Sequence, residues 1–144
     1  MNSGLTVYYI DDDQDDREFF SEIVDLVDEN ARVVTFRNGQ ELLDALQVGS
    51  QEHACLFLDI NMPGMNGFEV LAKLRESDAH RDLPVIMFST SGDAVTIEKS
   101  KELGANLFVQ KSALLENLRQ SIRHALNINW ATFEPTDTNF VYKA

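Results

Sequence analysis

Val7-Tyr8-Tyr9-Ile10 runs directly into Asp11-Asp12, an apolar stretch closed by two adjacent carboxylates. The same figure returns three times. Leu56-Phe57-Leu58 is closed by Asp59, Val85-Ile86-Met87-Phe88 by Ser89, and Leu107-Phe108-Val109-Gln110 by Lys111. Near-continuous apolar runs of this length are the mark of strands buried on both faces. If the runs are parallel strands, all four closing positions lie at the carboxyl edge of one sheet, where open α/β sheets place their sites. Three carboxylates, a hydroxyl and an ammonium then converge, a set suited to holding a divalent cation and a phosphoryl group together.

Working outward, five apolar runs at 5–10, 32–36, 54–58, 84–88 and 106–109 alternate with five amphipathic stretches at about 14–29, 39–48, 67–77, 93–103 and 112–126. The first amphipathic stretch carries Phe19, Phe20, Ile23, Val24, Leu26 and Val27 on one broad stripe, as a helix packed on a sheet requires. Leu103-Gly104 reads as a helix end with glycine just past it. This alternation predicts a parallel sheet with helices on both faces, and right-handed crossovers restrict its topology.

The 144 residues suffice for one domain with a sizeable core. No apolar stretch approaches the roughly 20 residues needed to span a membrane, and residues 1–4 lack the basic start of a signal peptide. A single cysteine, Cys55, excludes an internal disulfide framework and fits a cytoplasmic protein. It lies inside an apolar run, so it reads as a buried, inert thiol. The net charge is −12, from 24 acidic and 12 basic residues. Such a surface repels nucleic acid, and no basic cluster offsets it. Part of the excess is local, because residues 11–18 hold six acids and one base, Arg17. Asp13, Asp15 and Asp16 read as helix-start residues, since carboxylates suit helix amino termini. Adjacent carboxylates straight after a strand repel one another, and a bound cation would relieve that. His53, His80 and His124 are scattered and read as non-functional.

With these residues in view, positions 5–126 resemble the receiver domains of two-component response regulators. The resemblance rests on Asp11-Asp12, on Leu58-Asp59-Ile60-Asn61-Met62-Pro63 followed by Asn66-Gly67, on Pro84 through Ser89, and on Gly104-Ala105 leading to Phe108-Val109-Gln110-Lys111. It implies a flavodoxin-like, doubly wound, five-stranded parallel sheet of order 2-1-3-4-5. It also implies a phosphorelay protein that is not an enzyme in the ordinary sense and catalyses only its own phosphorylation and dephosphorylation. Asp59 would accept a phosphoryl group from a histidine kinase or histidine phosphotransfer protein. Asp11, Asp12, Asp59 and the backbone carbonyl of Asn61 would hold Mg²⁺, with Mn²⁺ able to substitute. Lys111 would balance charge on the phosphoryl oxygens and Ser89 would donate a hydrogen bond to one of them. A downstream protein would dock on the face built from 93–126, and the chain would be a cytoplasmic stand-alone receiver, monomeric or weakly dimeric.

Three positions depart from the commonest receiver pattern: Ser112 stands where proline is usual, Phe108 where many receivers carry tyrosine, and Thr90 where a smaller residue is frequent. An EF-hand reading of Asp11, Asp13, Asp15 and Glu22 fails on Asp16, which stands at the required glycine. An FMN-binding electron carrier would share the fold, but carboxylates repel its phosphate. A haloacid-dehalogenase-like phosphatase needs a second acid where Asn61 stands. Past the last helix, 127–144 carries Trp130, Phe133, Phe140 and Tyr142, too apolar for a freely solvated tail. It is expected to pack on its own domain or in a self-contact.

Overall fold

The computed structural model describes residues 4–48, 53–62 and 64–143. Pro63 of the quoted motif, residues 1–3 and Ala144 lie outside them. Strands and helices alternate as β1 (Thr6–Ile10), α1 (Gln14–Val27), β2 (Arg32–Phe36), α2 (Gly39–Val48), β3 (Ala54–Leu58), α3 (Gly67–Glu76), β4 (Val85–Ser89), α4 (Ala94–Glu102), β5 (Leu107–Gln110), α5 (Leu115–Leu126) and β6 (Val141–Tyr142). All neighbouring strands are parallel, in the order β2-β1-β3-β4-β5-β6. The doubly wound sheet is therefore the expected one, with a correction: among the described residues it has six strands, not five. The added strand is only two residues long, too short to announce itself by periodicity.

Side chains alternate along each strand between two cores. Tyr8, Ile10, Leu56, Leu58, Val85, Met87 and Phe108 face α2 and α3 through Leu42, Leu46, Val70, Leu71 and Leu74. Val7, Tyr9, Cys55, Phe57, Ile86, Phe88, Leu107 and Val109 face α1 and α5 through Phe20, Ile23, Val24, Ile122, Ala125 and Leu126. Burial on both sides explains why these strands read as apolar runs rather than as alternating ones. Cys55 is fully buried and its thiol is pushed up to about 12 by that burial, so it is inert at neutral pH.

The helix boundaries have local causes. Asp13 caps α1, its carboxylate accepting from the amides of Asp15 and Asp16. Asn66 and Glu69 close a reciprocal capping box on α3. At the end of α4, Gly104 takes φ +100°, a conformation that suits glycine. Helix α5 begins three residues later than the sequence reading placed it. Ser112 Oγ accepts from the Leu114 amide at 3.1 Å, holding a turn where the helix would have started.

Beyond α5 the chain rounds the sheet. Ile128 and Trp130 pack against the α1/α5 core, whereas Phe140, 2% exposed, enters the opposite core. Directly after Phe140 the chain pairs with the edge of β5, Phe108 with Val141 and Val109 with Tyr142.

Candidate functional site

The site is built at the carboxyl ends of β1, β3, β4 and β5. Asp59 follows β3 directly, and its Oδ1 accepts from the Asn61 amide at 3.1 Å. Lys111 follows β5, and its Nζ donates to Asp59 Oδ2 at 2.8 Å. Both side chains are about one-fifth exposed, so the pair is reachable from solvent. The Lys111 amide donates to the Ser89 carbonyl at 2.7 Å, tying the ends of β4 and β5 together. The Lys111 ammonium also lies over the Phe88 ring, 5.1 Å from its centre.

Helix α3 meets this loop closely. The Gly67 amide donates to the Ile60 carbonyl at 3.0 Å. A Cβ on Gly67 would collide with the Asp59 carbonyl oxygen and come within 2.8 Å of Ile60 Cα. Only glycine lets the helix start here without displacing the loop that carries Asp59.

The acidic pair divides. Strand β1 ends at Ile10, and the two carboxylates beyond it enter different cavities. Asp11 shares a cavity of about 210 Å³ with Tyr9, Phe20, Phe88 and Lys111. Asp12 lines a separate, open cavity with Arg37, Asn38, Gly39 and Met65. Asp11 Oδ2 accepts from the Tyr9 hydroxyl at 2.8 Å, its Oδ1 from the Asp13 amide at 3.1 Å, and its carbonyl from Arg17 at 2.8 Å. Tyr9 is buried and its ring stacks on Phe20 at 3.9 Å. Burial first, and then the Asp11 charge, raise the Tyr9 phenol far above its ordinary value, so it remains a hydrogen-bond donor. Asp16 is also raised, by desolvation and then by the charges of Asp11 and Asp13.

Of the six residues singled out from sequence, the structure thus joins Asp59 with Lys111 and turns Asp11 towards the same side. Ser89 is fully buried at the end of β4, where its Oγ accepts from the Ser91 amide at 3.2 Å. Asn61 is exposed beside Asp59. Among the described residues, no group of three or more His, Cys, Asp or Glu side chains could hold a metal ion. The donor chemistry still suits Mg²⁺, which takes oxygen ligands and is commonly held by one or two carboxylates with waters completing the octahedron. Asp12, Asp59 and the Asn61 carbonyl would supply donors of this kind.

Tyr9 is the site residue that sequence reading missed, having counted it only as part of an apolar run. The available signal was its spacing: residues two apart share a strand face, so a tyrosine before Ile10-Asp11 can reach that carboxylate.

Comparison with known proteins agrees with this fold. Residues 7–123 match the response regulator receiver domain family. The two-component response regulator ARR17 of Arabidopsis thaliana is 30% identical over 137 residues, which is 88% of each chain. Among solved structures, the phosphorylated cyanobacterial phytochrome response regulator RcpA is 26% identical with a TM-score of 0.75, over 90% of this chain and 96% of that one. A response regulator in red light signaling of R. palustris is also 26% identical, with a TM-score of 0.77 over 91% and 99%. No helix among the described residues is long and apolar enough to cross a membrane. The chain belongs to the response regulator receiver domains, the signalling domains of two-component phosphorelay systems.

Proposed function

We propose that this chain receives a phosphoryl group on Asp59 from a histidine kinase or histidine phosphotransfer protein, and passes the signal on through its protein surface. The observation that carries this reading is the 2.8 Å contact between Asp59 and Lys111 at the adjoining strand ends. On this reading the Asp59 carboxylate is the nucleophile, and the cation beside it can follow the transferred charge. In the transfer, one Asp59 carboxylate oxygen forms a bond to phosphorus as the phosphorus–nitrogen bond of the donor phosphohistidine breaks. The bonding pair leaves with the imidazole nitrogen, which is then protonated. Carboxylates form such acyl phosphates, and positioning and electrostatics supply most of the rate.

Lys111 balances charge on the phosphoryl oxygens, and Ser89, at the end of β4, donates its hydroxyl to one of them. Asp12, Asp59 and the Asn61 carbonyl would hold Mg²⁺, or Mn²⁺ in its place, with Asp11 acting through water because Tyr9 and Asp13 hold it back. The bound ion would neutralise part of the phosphoryl charge.

Incubation with acetyl phosphate and Mg²⁺ tests this by intact mass. One phosphoryl group should be added to the parent chain and none to Asp59→Asn. Asp12→Ala should weaken Mg²⁺ binding in calorimetry, while Asp15→Ala leaves it unchanged. A label on Ser89 or on a histidine would overturn the reading.

A further inference from the structure

The edge of β5 is covered by the chain's own tail, and each of three neighbouring elements contributes an anchor. The β5 residue Phe108 donates its amide to the Phe140 carbonyl at 2.8 Å, and the two rings share one buried cluster. On α4, Lys101 pairs with Asp137. On α5, His124 stacks on Tyr142 with centres 4.0 Å apart. The stretch between the anchors is bonded chiefly to itself. Asn139 Nδ2 donates to the Glu134 carbonyl at 3.0 Å, the Thr136 amide to Asn139 Oδ1 at 2.6 Å, and the Phe140 amide to the Thr136 carbonyl at 3.2 Å. Residues 134–139 are exposed. Such a segment can leave as a unit, losing a two-residue ladder, one buried ring, an ion pair and one ring stack, while its internal turn stays formed.

The same short strand ends at the site. Phe108 and Val109 hold β6, and Lys111, two residues beyond Val109, holds Asp59. We infer that 134–142 is a displaceable cover over the α4–β5–α5 surface, docked while Asp59 is unmodified and released when Asp59 carries a phosphoryl group. This rests on the phosphorylation of Asp59 proposed above. The ion pair between Lys111 and the free carboxylate exists only in the unmodified state, which supplies the difference that a switch requires. Once an Asp59 oxygen is esterified, the ammonium follows the negative charge outward to the phosphoryl oxygens and draws the end of β5 with it. Among the described strands β6 pairs with β5 alone, and over two residues, so it is the first pairing to fail. The surface that the resemblance assigns to a downstream protein is thus covered at rest by the chain itself.

Hydrogen exchange of the full-length chain, with and without acetyl phosphate and Mg²⁺, tests the inference, while intact mass reports the phosphorylated fraction. Allosteric couplings commonly amount to about 5- to 150-fold. Amides of 138–142 and of Phe108 should therefore exchange faster by a factor in that range, while those of β2 keep their rates and Asp59→Asn shows no change. A phosphorylated chain with unchanged or slower exchange in the tail overturns the cover. A mass that never rises overturns the phosphoryl-accepting reading, and the cover falls with it. The coupling must also be reciprocal. Phe140→Ala, in which the tail is already loosened, should bind beryllofluoride with Mg²⁺ more tightly by the factor seen in exchange. Equal affinity would refute the coupling. Tyr142→Ala, which keeps the buried ring, replaces Phe140→Ala if that variant does not fold.

Discussion

The two margins of the sheet solve the same problem differently. Strand β2 is left at an open edge: Arg32 is exposed, and Val33, Val34 and Thr35 are only half-buried. A charged residue and a short strand are ordinary ways of keeping such an edge from pairing with another molecule. At the other margin, Leu107, Phe108 and Val109 are all fully buried. With nothing beyond them, they would present an apolar, pairing-competent edge. The tail makes β5 an interior strand. One margin is protected by its own side chains and the other by a removable piece of chain, so only the second can be exposed on demand.

Substitutions separate the two solutions. Phe140→Ala should destabilise the protein by about 3 kcal/mol in urea unfolding, near the low end for a buried phenylalanine. Val34→Ala, at the half-buried margin, should cost about 1 kcal/mol. Equal losses would mean that the margins are not distinct. Next in size should be self-association. Phe140→Ala bares the edge of β5 and should sediment as a concentration-dependent mixture of monomer and larger species, whereas Val34→Ala stays as the parent does. The smallest effect should be on pH. Burial lowers His124 below its ordinary value of 6.5, so the docked state favours neutral imidazole. The undocked state then binds more protons, and docking strengthens as pH rises. Tail docking should be complete above about pH 6.5 and weaken as the pH falls below it. Exchange rates of 138–142 at both ends of that range would show this, with His124→Gln giving a flatter profile.

The first five strands, the alternating helices and the parallel topology were legible because strands buried on both faces must be apolar along their length. The contact of Asp59 with Lys111 followed from placing both at one sheet edge. The remainder depended on directions that residue type does not reveal. Asp11 and Asp12 look alike in sequence, yet they line different cavities, and the Tyr9 hydroxyl fixes one of them. Strand β6 was hidden because Val141-Tyr142 is too short to show a period and because the buried ring beside it, Phe140, precedes the ladder. The late start of α5 depended on one hydroxyl, that of Ser112, capturing a backbone amide.

Gly67 gives the site a direction of compliance. The first turn of α3 sits against the Asp59 carbonyl and Ile60 Cα with no space for a methyl group, and the Asn66–Glu69 box stiffens that turn. A load applied at Asp59 meets a rigid stop on the α3 side. On the opposite side it meets the flexible arm of Lys111 and a short strand. Displacement therefore runs towards β5, whatever the chemical nature of the load. A side chain introduced at position 67 would act like a shim, pre-loading the loop and shifting the rest position of Asp59.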